Sequence, residues 1–468
     1  MTAWLWQKHS LPDHVSTAQI WEVLFGHESI AVLLESPKAN SNHSSLTHGK
    51  TARYSIAAGS PKEYFTPELG QILPCLKELQ AKVRHEYDLE GKLLPDEILE
   101  LPFIGGYLGW LGYDLAWEIE KLPYLKPDVL PFPVAFWYAP RNFAIIDNWQ
   151  KQVWLAAIDQ AELTKMGDRI TELVQRGLKK NDSLISLSHT STSALKIDFL
   201  SDAAAYEAMV RKAKAHIKAG DIFQANLSLR FGVDWPGDGW QLYQKLQWIN
   251  PSPFASYWRT PWGEMISVSP ERLVKLTEQR AETRPIAGTR PRGDDAQSDL
   301  AYEQEMLAST KERAEHIMLV DLERNDLGRV CKWGSVQVDE LLVVERYSHV
   351  MHLVSNVIGE LSSDRDGIDL IRATFPGGTI TGCPKVRCME IIEELEPCRR
   401  SLFYGSCGYL DRRGNLDLNI LIRTLLKCDD RIWGQVGAGI VADSEPDREW
   451  LESLQKAKAQ LAALDLLI

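Results

Sequence analysis

The side chains best suited to chemistry fall almost wholly in the second half of the chain. In LAYEQEMLASTKERAEHIMLVDLERNDL (300–327), a run of helix formers, Glu312 and Glu315 stand on one side of a helical turn. A second acidic set, Glu445, Glu449 and Glu452, recurs at helical spacing with Lys456 in the run 444–464. Periodicity alone makes such stripes solvated faces. The chemical alternative is that Glu315 and Glu452, from two helices and with Glu449 near them, hold a hard cation such as Mg2+, which takes few carboxylates and keeps waters and a substrate anion. GQVGAGIVADS (434–444) leads into the second run, and the amides of Gly437, Ala438 and Gly439 could receive a carboxylate at a backbone concavity. A tight packing turn would use the same glycines. Arg423 sits in the apolar run NILIRTL, where a lone guanidinium is costly, so an anionic partner is expected. His352 in HVMHLVSN alternates with apolar neighbours, as core histidines and acid–base groups both do.

The elements that position these residues follow from composition and period. With 468 residues, 44% hydrophobic and 25% charged, the chain suits two large domains with ample buried cores. The net charge of −12 argues against nucleic acid as the main partner while leaving room for a local basic site that takes a small anion. No apolar run reaches the roughly 18 residues of a membrane span, and MTAWLWQKHS lacks the order of a signal peptide, so a cytoplasmic location without membrane attachment is expected. The seven cysteines contain no CxxC pair, and read as reduced core thiols rather than a zinc site. The first half carries strand-like runs at 29–36, 52–59, 134–139 and 152–158, and amphipathic helices near 70–85 and 160–177. The serine-rich stretch 180–195 reads as a linker between an N-terminal region (1–195) and a catalytic region (196–468). A helix is expected at about 202–218, and another at 444–464 with Ser444 as N-cap and Trp450, Leu454, Ala457 and Leu461 on its apolar stripe. The glycines of GGYLGWLGYD (105–114) fit no nucleotide fingerprint and read as close strand packing.

Six motifs in one order then carry a resemblance: SPERL (269–273), TRPIAGTRPRG (283–293), KERAEHIMLVDLERNDLGRV (311–330), FPGGTITGCPKVRCMEIIEELEP (375–397), GNLDLNILIRT (414–424) and GAGIVADS (437–444). Together they resemble component I of the chorismate-utilising anthranilate synthases and aminodeoxychorismate synthases. LLES (33–36), ARYSI (52–56) and GGYLGWLGYD extend the likeness more weakly into the first half. The resemblance implies an α/β fold of the α+β type, with two large antiparallel sheets packed face to face and helices outside. It implies Mg2+ on Glu315 and Glu452 with Glu449 beside them, and Glu271 as the acid at the leaving hydroxyl. It also places His352 near the ring and gives chorismate to Arg423, Lys456, Thr379 and the Gly437, Ala438 and Gly439 amides.

Two positions bear on the reaction. Gln224 in IFQANLS stands where isochorismate and salicylate synthases resembling this family carry a water-activating lysine, so ammonia is the expected nucleophile. Ala287 stands where many aminodeoxychorismate synthases carry a lysine nucleophile, so no covalent lysyl intermediate can form there. That alanine resembles anthranilate synthases, whereas FPGGTITG and an NPSPFASY without the Tyr-Met pair resemble aminodeoxychorismate synthases. Jointly the motifs favour amination to 4-amino-4-deoxychorismate, toward p-aminobenzoate and folate. The runner-up is anthranilate with pyruvate, and the non-enzymatic alternative is an inactive regulatory relative. Glu35, Ser36 and Pro251 are the expected members of a tryptophan-type pocket, and the family implies a separate glutamine amidotransferase subunit that supplies ammonia.

Overall fold

The computed structural model describes residues 4–36, 53–90, 94–176, 196–293, 295–346 and 350–466; the 180–195 linker expectation lies outside them. Two large sheets dominate. The first runs Leu5–Ser10, Gln152–Ala157, Asn142–Asp147, Tyr54–Ala58, Ala31–Glu35, Phe254–Thr260, Gly263–Ser269, Thr424–Cys428, Arg431–Ile440, Gln224–Asp234, Gly382–Cys383, with Ile197–Phe199 also pairing on Gln224–Asp234. The second runs Ile286–Pro291, Val350–Glu360, Arg280–Thr283, Arg272–Thr277, Leu416–Asn419, Ser406–Asp411, Gly106–Leu111, Ala135–Pro140, Pro61–Phe65, with Gln337–Arg346 pairing on Val350–Glu360. The ladders are antiparallel. Both sheets draw strands from before and after the serine-rich stretch, and the apolar runs at 134–139 and 152–158 go to different sheets.

Strand period decides which face each side chain serves. In Tyr54–Ala58, Ile56 and Ala58 join a core shared with Tyr107, Leu108 and Trp110 of the second sheet, while Ala57 between them joins a core beneath the helices. Ala31, Val32 and Leu33 alternate likewise. The first sheet is thus the middle layer, with the second sheet on one face and, on the other, helices including Thr17–Phe25, Gln160–Arg176, Ala203–Ala219 and Pro446–Ala463. Each fully buried aliphatic or aromatic side chain in these cores contributes about 1.5–3 kcal/mol. Close strand packing explains the glycine-rich 105–114 segment: a Cβ on Gly109 would lie 2.3 Å from the Phe136 carbonyl and 2.4 Å from the Trp137 ring. The seven cysteines are free, and Cys331, Cys388, Cys398 and Cys407 are buried. Among the described residues no helix is long and apolar enough to cross a membrane.

Three local expectations need correction. The run 300–327 is two helices, Ala296–Ala308 and Thr310–Gly328, because Ser309 leaves the helical region and its side chain accepts the Glu312 amide as an N-cap. Ser444 does not cap the last helix; its hydroxyl accepts the Val441 amide at 3.0 Å and holds the preceding turn, while Glu445 and Pro446 open the helix. Glu449 is buried, not on a solvated stripe, because that side of the helix packs inward near Tyr206.

Candidate active site

The GAG segment is strand, not a turn. Gly437, Ala438 and Gly439 pair with Ser228, Leu227 and Asn226. Antiparallel pairs alternate between hydrogen-bonded and non-bonded, so the bonds made by one strand fix where the other points. The Asn226 amide donates to Thr381 O at 2.9 Å, and its carbonyl accepts from Arg400 at 2.7 Å. The Ser228 amide donates to Glu396 Oε1 at 2.7 Å. Asn226 and Ser228 therefore turn their main-chain groups away from Gly439 and Gly437, and those glycines turn theirs toward the opposite edge. Lys456 Nζ meets the Gly437 carbonyl on that edge at 2.9 Å. Ala438 pairs with Leu227 at the position where the alternation directs its amide into the ladder.

The strand that covers this edge, Thr424–Cys428, stops where Arg423 enters the left-handed region at φ 52°. Beyond it the Gly437 and Gly439 amides are uncovered, and Arg423 stands at the end of the covering strand. No carboxylate pairs with Arg423 among the described residues; burial pushes its pKa down, and only the Tyr404 phenol works the other way. Burying a guanidinium without an anion is costly, so the arrangement favours an anionic ligand. Tyr404, Asn226 and Gln224 crowd the same glycines: a Cβ on Gly437 would lie 2.8 Å from the Tyr404 hydroxyl and 3.0 Å from Asn226 Oδ1, and one on Gly439 would lie 2.6 Å from Gln224 Nε2. The Tyr404 hydroxyl, Asn226 Oδ1 and Gln224 Oε1 are buried without a partner among the described residues. Buried polar atoms are normally satisfied, so their convergence marks a ligand site.

A buried ion pair fixes this geometry. Arg400 and Glu396 form a two-point pair at 3.0 and 2.7 Å, and Arg400 also donates to the Ile380 carbonyl at 2.8 Å. That clamp dictates which way Asn226 and Ser228 face.

Acid–base groups approach from the second sheet. Glu271, at the start of Arg272–Thr277, is buried with its carboxyl facing the Thr379 hydroxyl and the Ile286 amide; burial pushes its pKa up to about 7. His352 is pushed down to about 4, mainly by burial and also by the Arg423 charge, and is a neutral imidazole at pH 7. Its Nδ1 lies 2.9 Å from the Thr289 hydroxyl. Ala287 sits between Ile286, whose amide faces Glu271, and Gly288, whose backbone bonds His352, at a register shift where Gly288 takes φ 62°. Gln224, Thr379, Glu271, Ala287, His352, Arg423, Gly437, Gly439 and Lys456 thus belong to one connected neighbourhood.

The acidic candidates are placed differently. Glu315 lies half-buried on Thr310–Gly328, which packs on the second sheet; Glu452 lies on Pro446–Ala463, which packs on the first. Glu452 pairs with Lys456 at 2.9 Å, and Glu312 with Arg290 at 2.8 Å. Among the described residues no three His, Cys, Asp or Glu side chains form a ready metal cluster. Glu315 and Glu452 are oxygen donors of the kind Mg2+ takes, and that ion keeps most of its ligands as water.

Glu35 and Ser36 line a separate cavity of about 930 Å3 whose walls include Arg53, Phe254 and Arg272. Pro253 lines it in place of the expected Pro251, since the Ser36 hydroxyl reaches the Pro253 carbonyl at 3.3 Å. Glu35 accepts from the Tyr243 hydroxyl at 2.6 Å.

Residues 29–462 match a family described as chorismate binding enzyme. The chain is 58% identical to an anthranilate synthase component I-like protein of Synechocystis, over 96% of this chain and 89% of that one. It is 42% identical to aminodeoxychorismate synthase component 1 of Bacillus subtilis (83% and 80%) and 42% identical to anthranilate synthase component 1 of Synechocystis (78% and 77%). Among solved structures, anthranilate synthase component I from Streptococcus pneumoniae superposes with TM-score 0.73 at 31% identity, covering 90% of this chain and 95% of that one.

Proposed function

The chain belongs to the chorismate-binding enzyme family, of the anthranilate synthase and aminodeoxychorismate synthase type, and within it we propose that it is aminodeoxychorismate synthase component I. The observation that carries the choice of chemistry is the buried Glu271, a carboxyl that burial raises to about 7, beside a site that favours anions. One chorismate carboxylate lies on Arg423 and the Gly437 and Gly439 amides, with the Tyr404 hydroxyl as a further donor, while Asn226 Oδ1 is an acceptor open to a substrate hydroxyl. Glu271 gives its proton to the hydroxyl leaving C4. Neutral His352, steadied by Thr289, orients the ring without taking a charge. Glu315 and Glu452, with Glu449 on the same helix as Glu452, would hold Mg2+, which would supply charge neutralisation at a substrate carboxylate.

Gln224 cannot take a proton from water, which favours amination over hydration. Ammonia comes from a separate glutamine amidotransferase subunit, as the component I names of the relatives support. Aminodeoxychorismate is favoured over anthranilate by the pattern of relatives within one organism. Synechocystis has a protein named anthranilate synthase component 1, yet this chain is closer to the second, merely like it, by 58% against 42% identity. The assay is chorismate with Mg2+ and ammonium, with product identification. 4-Amino-4-deoxychorismate without pyruvate is expected. Anthranilate and pyruvate in equal amounts would transfer the chain to the runner-up, isochorismate in the absence of ammonia would refute the nucleophile, and unconsumed chorismate would mean an inactive relative.

A further inference from the structure

Close enough to Glu271 to feel its charge lies a second buried carboxyl that has no part in the chemistry proposed above. Glu323, on Thr310–Gly328, is buried, and its carboxyl faces the Thr283 hydroxyl. The turn Gly378–Ile380 stands between the two acids: a Cβ on Gly378 would lie 3.7 Å from Glu323 Oε1, and the next residue, Thr379, faces Glu271. One helical turn on from Glu323, the buried Asp326 pairs with Lys385 Nζ at 2.6 Å, and Lys385 also donates to the Thr374 carbonyl at 2.9 Å. Asp326 in turn meets Asn325, which is exposed, and feels Arg329, which is half-exposed. The three acids thus lie close enough for Glu323 to feel the charges of both Asp326 and Glu271, with Asp326 next to exposed residues.

We propose that Glu323 returns a proton to Glu271 between turnovers, with Asp326 and Lys385 as its link to solvent. The proposal rests on the reading of Glu271 as the acid. In each turnover a C–N bond forms between ammonia and the ring and the C4–O bond breaks, and the Glu271 O–H bond breaks as its proton goes to the departing C4 hydroxyl, which leaves as water. The attacking nitrogen loses a proton to solvent, so the cycle is balanced only if Glu271 is reprotonated. Glu323 gives it that proton and recovers one through Asp326. Glu323 touches no substrate atom and acts only through Glu271. Burial raises the pKa of Glu323, Asp326 and Glu271 adds to the rise, and Lys385 and the Thr283 hydroxyl oppose it, so a carboxyl able to carry a proton near neutrality stands at the right place. Asp326 is raised by burial and held back by Lys385, Arg329 and Asn325, and its charge is felt by Cys383.

The test compares E323Q with E271Q in chorismate amination with saturating ammonium, below the Glu271 midpoint of about 7. In E323Q the first turnover should run at the wild-type rate, because Glu271 begins protonated, and the steady state should then fall about tenfold with KM for chorismate unchanged. Small carboxylic acid buffers should restore the steady state in a concentration-dependent way. E323D, which keeps an acid one methylene short, should fall between, and serves alone if E323Q does not fold. A steady state in E323Q equal to wild type, an equal loss in both phases, or no buffer rescue would overturn the relay. E271Q should lose the first turnover as well; if it does not, the acid assignment itself fails, and that result is separate from the behaviour of E323Q.

Discussion

Holding Glu271 protonated near pH 7 must cost the fold something at higher pH, and the cost has a definite sign. The unfolded carboxyl titrates near 4.5 and the folded one near 7, with burial as the first cause. Below 4.5 both states bind the proton and the group contributes no difference. Between the two values the folded protein keeps a proton that the unfolded chain has lost, so stability falls as pH rises; above 7 the whole penalty is present. At about 1.36 kcal/mol per pH unit, the penalty is about 3 kcal/mol. E271Q removes the charge while nearly keeping the shape, so it should be more stable than the wild type by up to about 3 kcal/mol at about pH 8, the gap closing as pH falls toward 4.5. Urea unfolding midpoints of both proteins across that range read the effect. Glu323 titrates in both proteins, and its slope cancels in the comparison except for the part that the Glu271 charge adds to it. The same variant should lose turnover, and wild-type kcat/KM should fall above about 7 as the acid form is depleted. An E271Q protein no more stable than wild type at about pH 8, or a gap independent of pH, would refute the burial argument and with it the role of Glu271 as a poised acid.

Other perturbations separate binding, metal and product. Arg423→Leu removes a buried charge that no carboxylate balances among the described residues, so KM for chorismate should rise between about ten- and a hundredfold while Tm holds or rises; an unchanged KM would remove Arg423 from the site. Glu315→Gln and Glu452→Gln should each abolish turnover with the far-UV circular dichroism spectrum intact and weaken Mg2+ binding in calorimetry with chorismate present; full activity in excess chelator would contradict both. Ala287→Lys places an amine between the backbones that serve Glu271 and His352, so an aminodeoxychorismate synthase should tolerate or gain from it, whereas collapse of a wild-type anthranilate yield would reverse the product assignment.

The features legible in the chain were those with a local cause. The period-2 runs around Ala31–Glu35 and Tyr54–Ala58, the 3.6 period of Gln160–Arg176 and the close packing at Gly109 follow from residue size and spacing, and the six ordered motifs carried the two-sheet architecture. Helical periodicity gave acidic stripes but could not say which side packs inward. Glu449 and Glu323 were therefore indistinguishable from solvated neighbours, although both are buried.

The anion site shows why the remaining residues were out of reach. Whether the amides of Gly437, Ala438 and Gly439 are open depends on the phase of a ladder with residues 226–228, more than 200 positions away. In that phase the Asn226 carbonyl and the Ser228 amide go to the Arg400–Glu396 pair. A shift of one residue would give the Gly437 and Gly439 amides to the ladder and leave Ala438 open, with the same sequence at the site. Tyr404 and Asn226 are likewise invisible locally, since an ordinary tyrosine and asparagine become ligand groups only when two strands meet over glycines that have no Cβ to keep them out. Whether these groups can take a carboxylate therefore turns on a long-range choice of register, in which Arg400 and Glu396 share by bonding residues 226 and 228 on the edge away from the glycines.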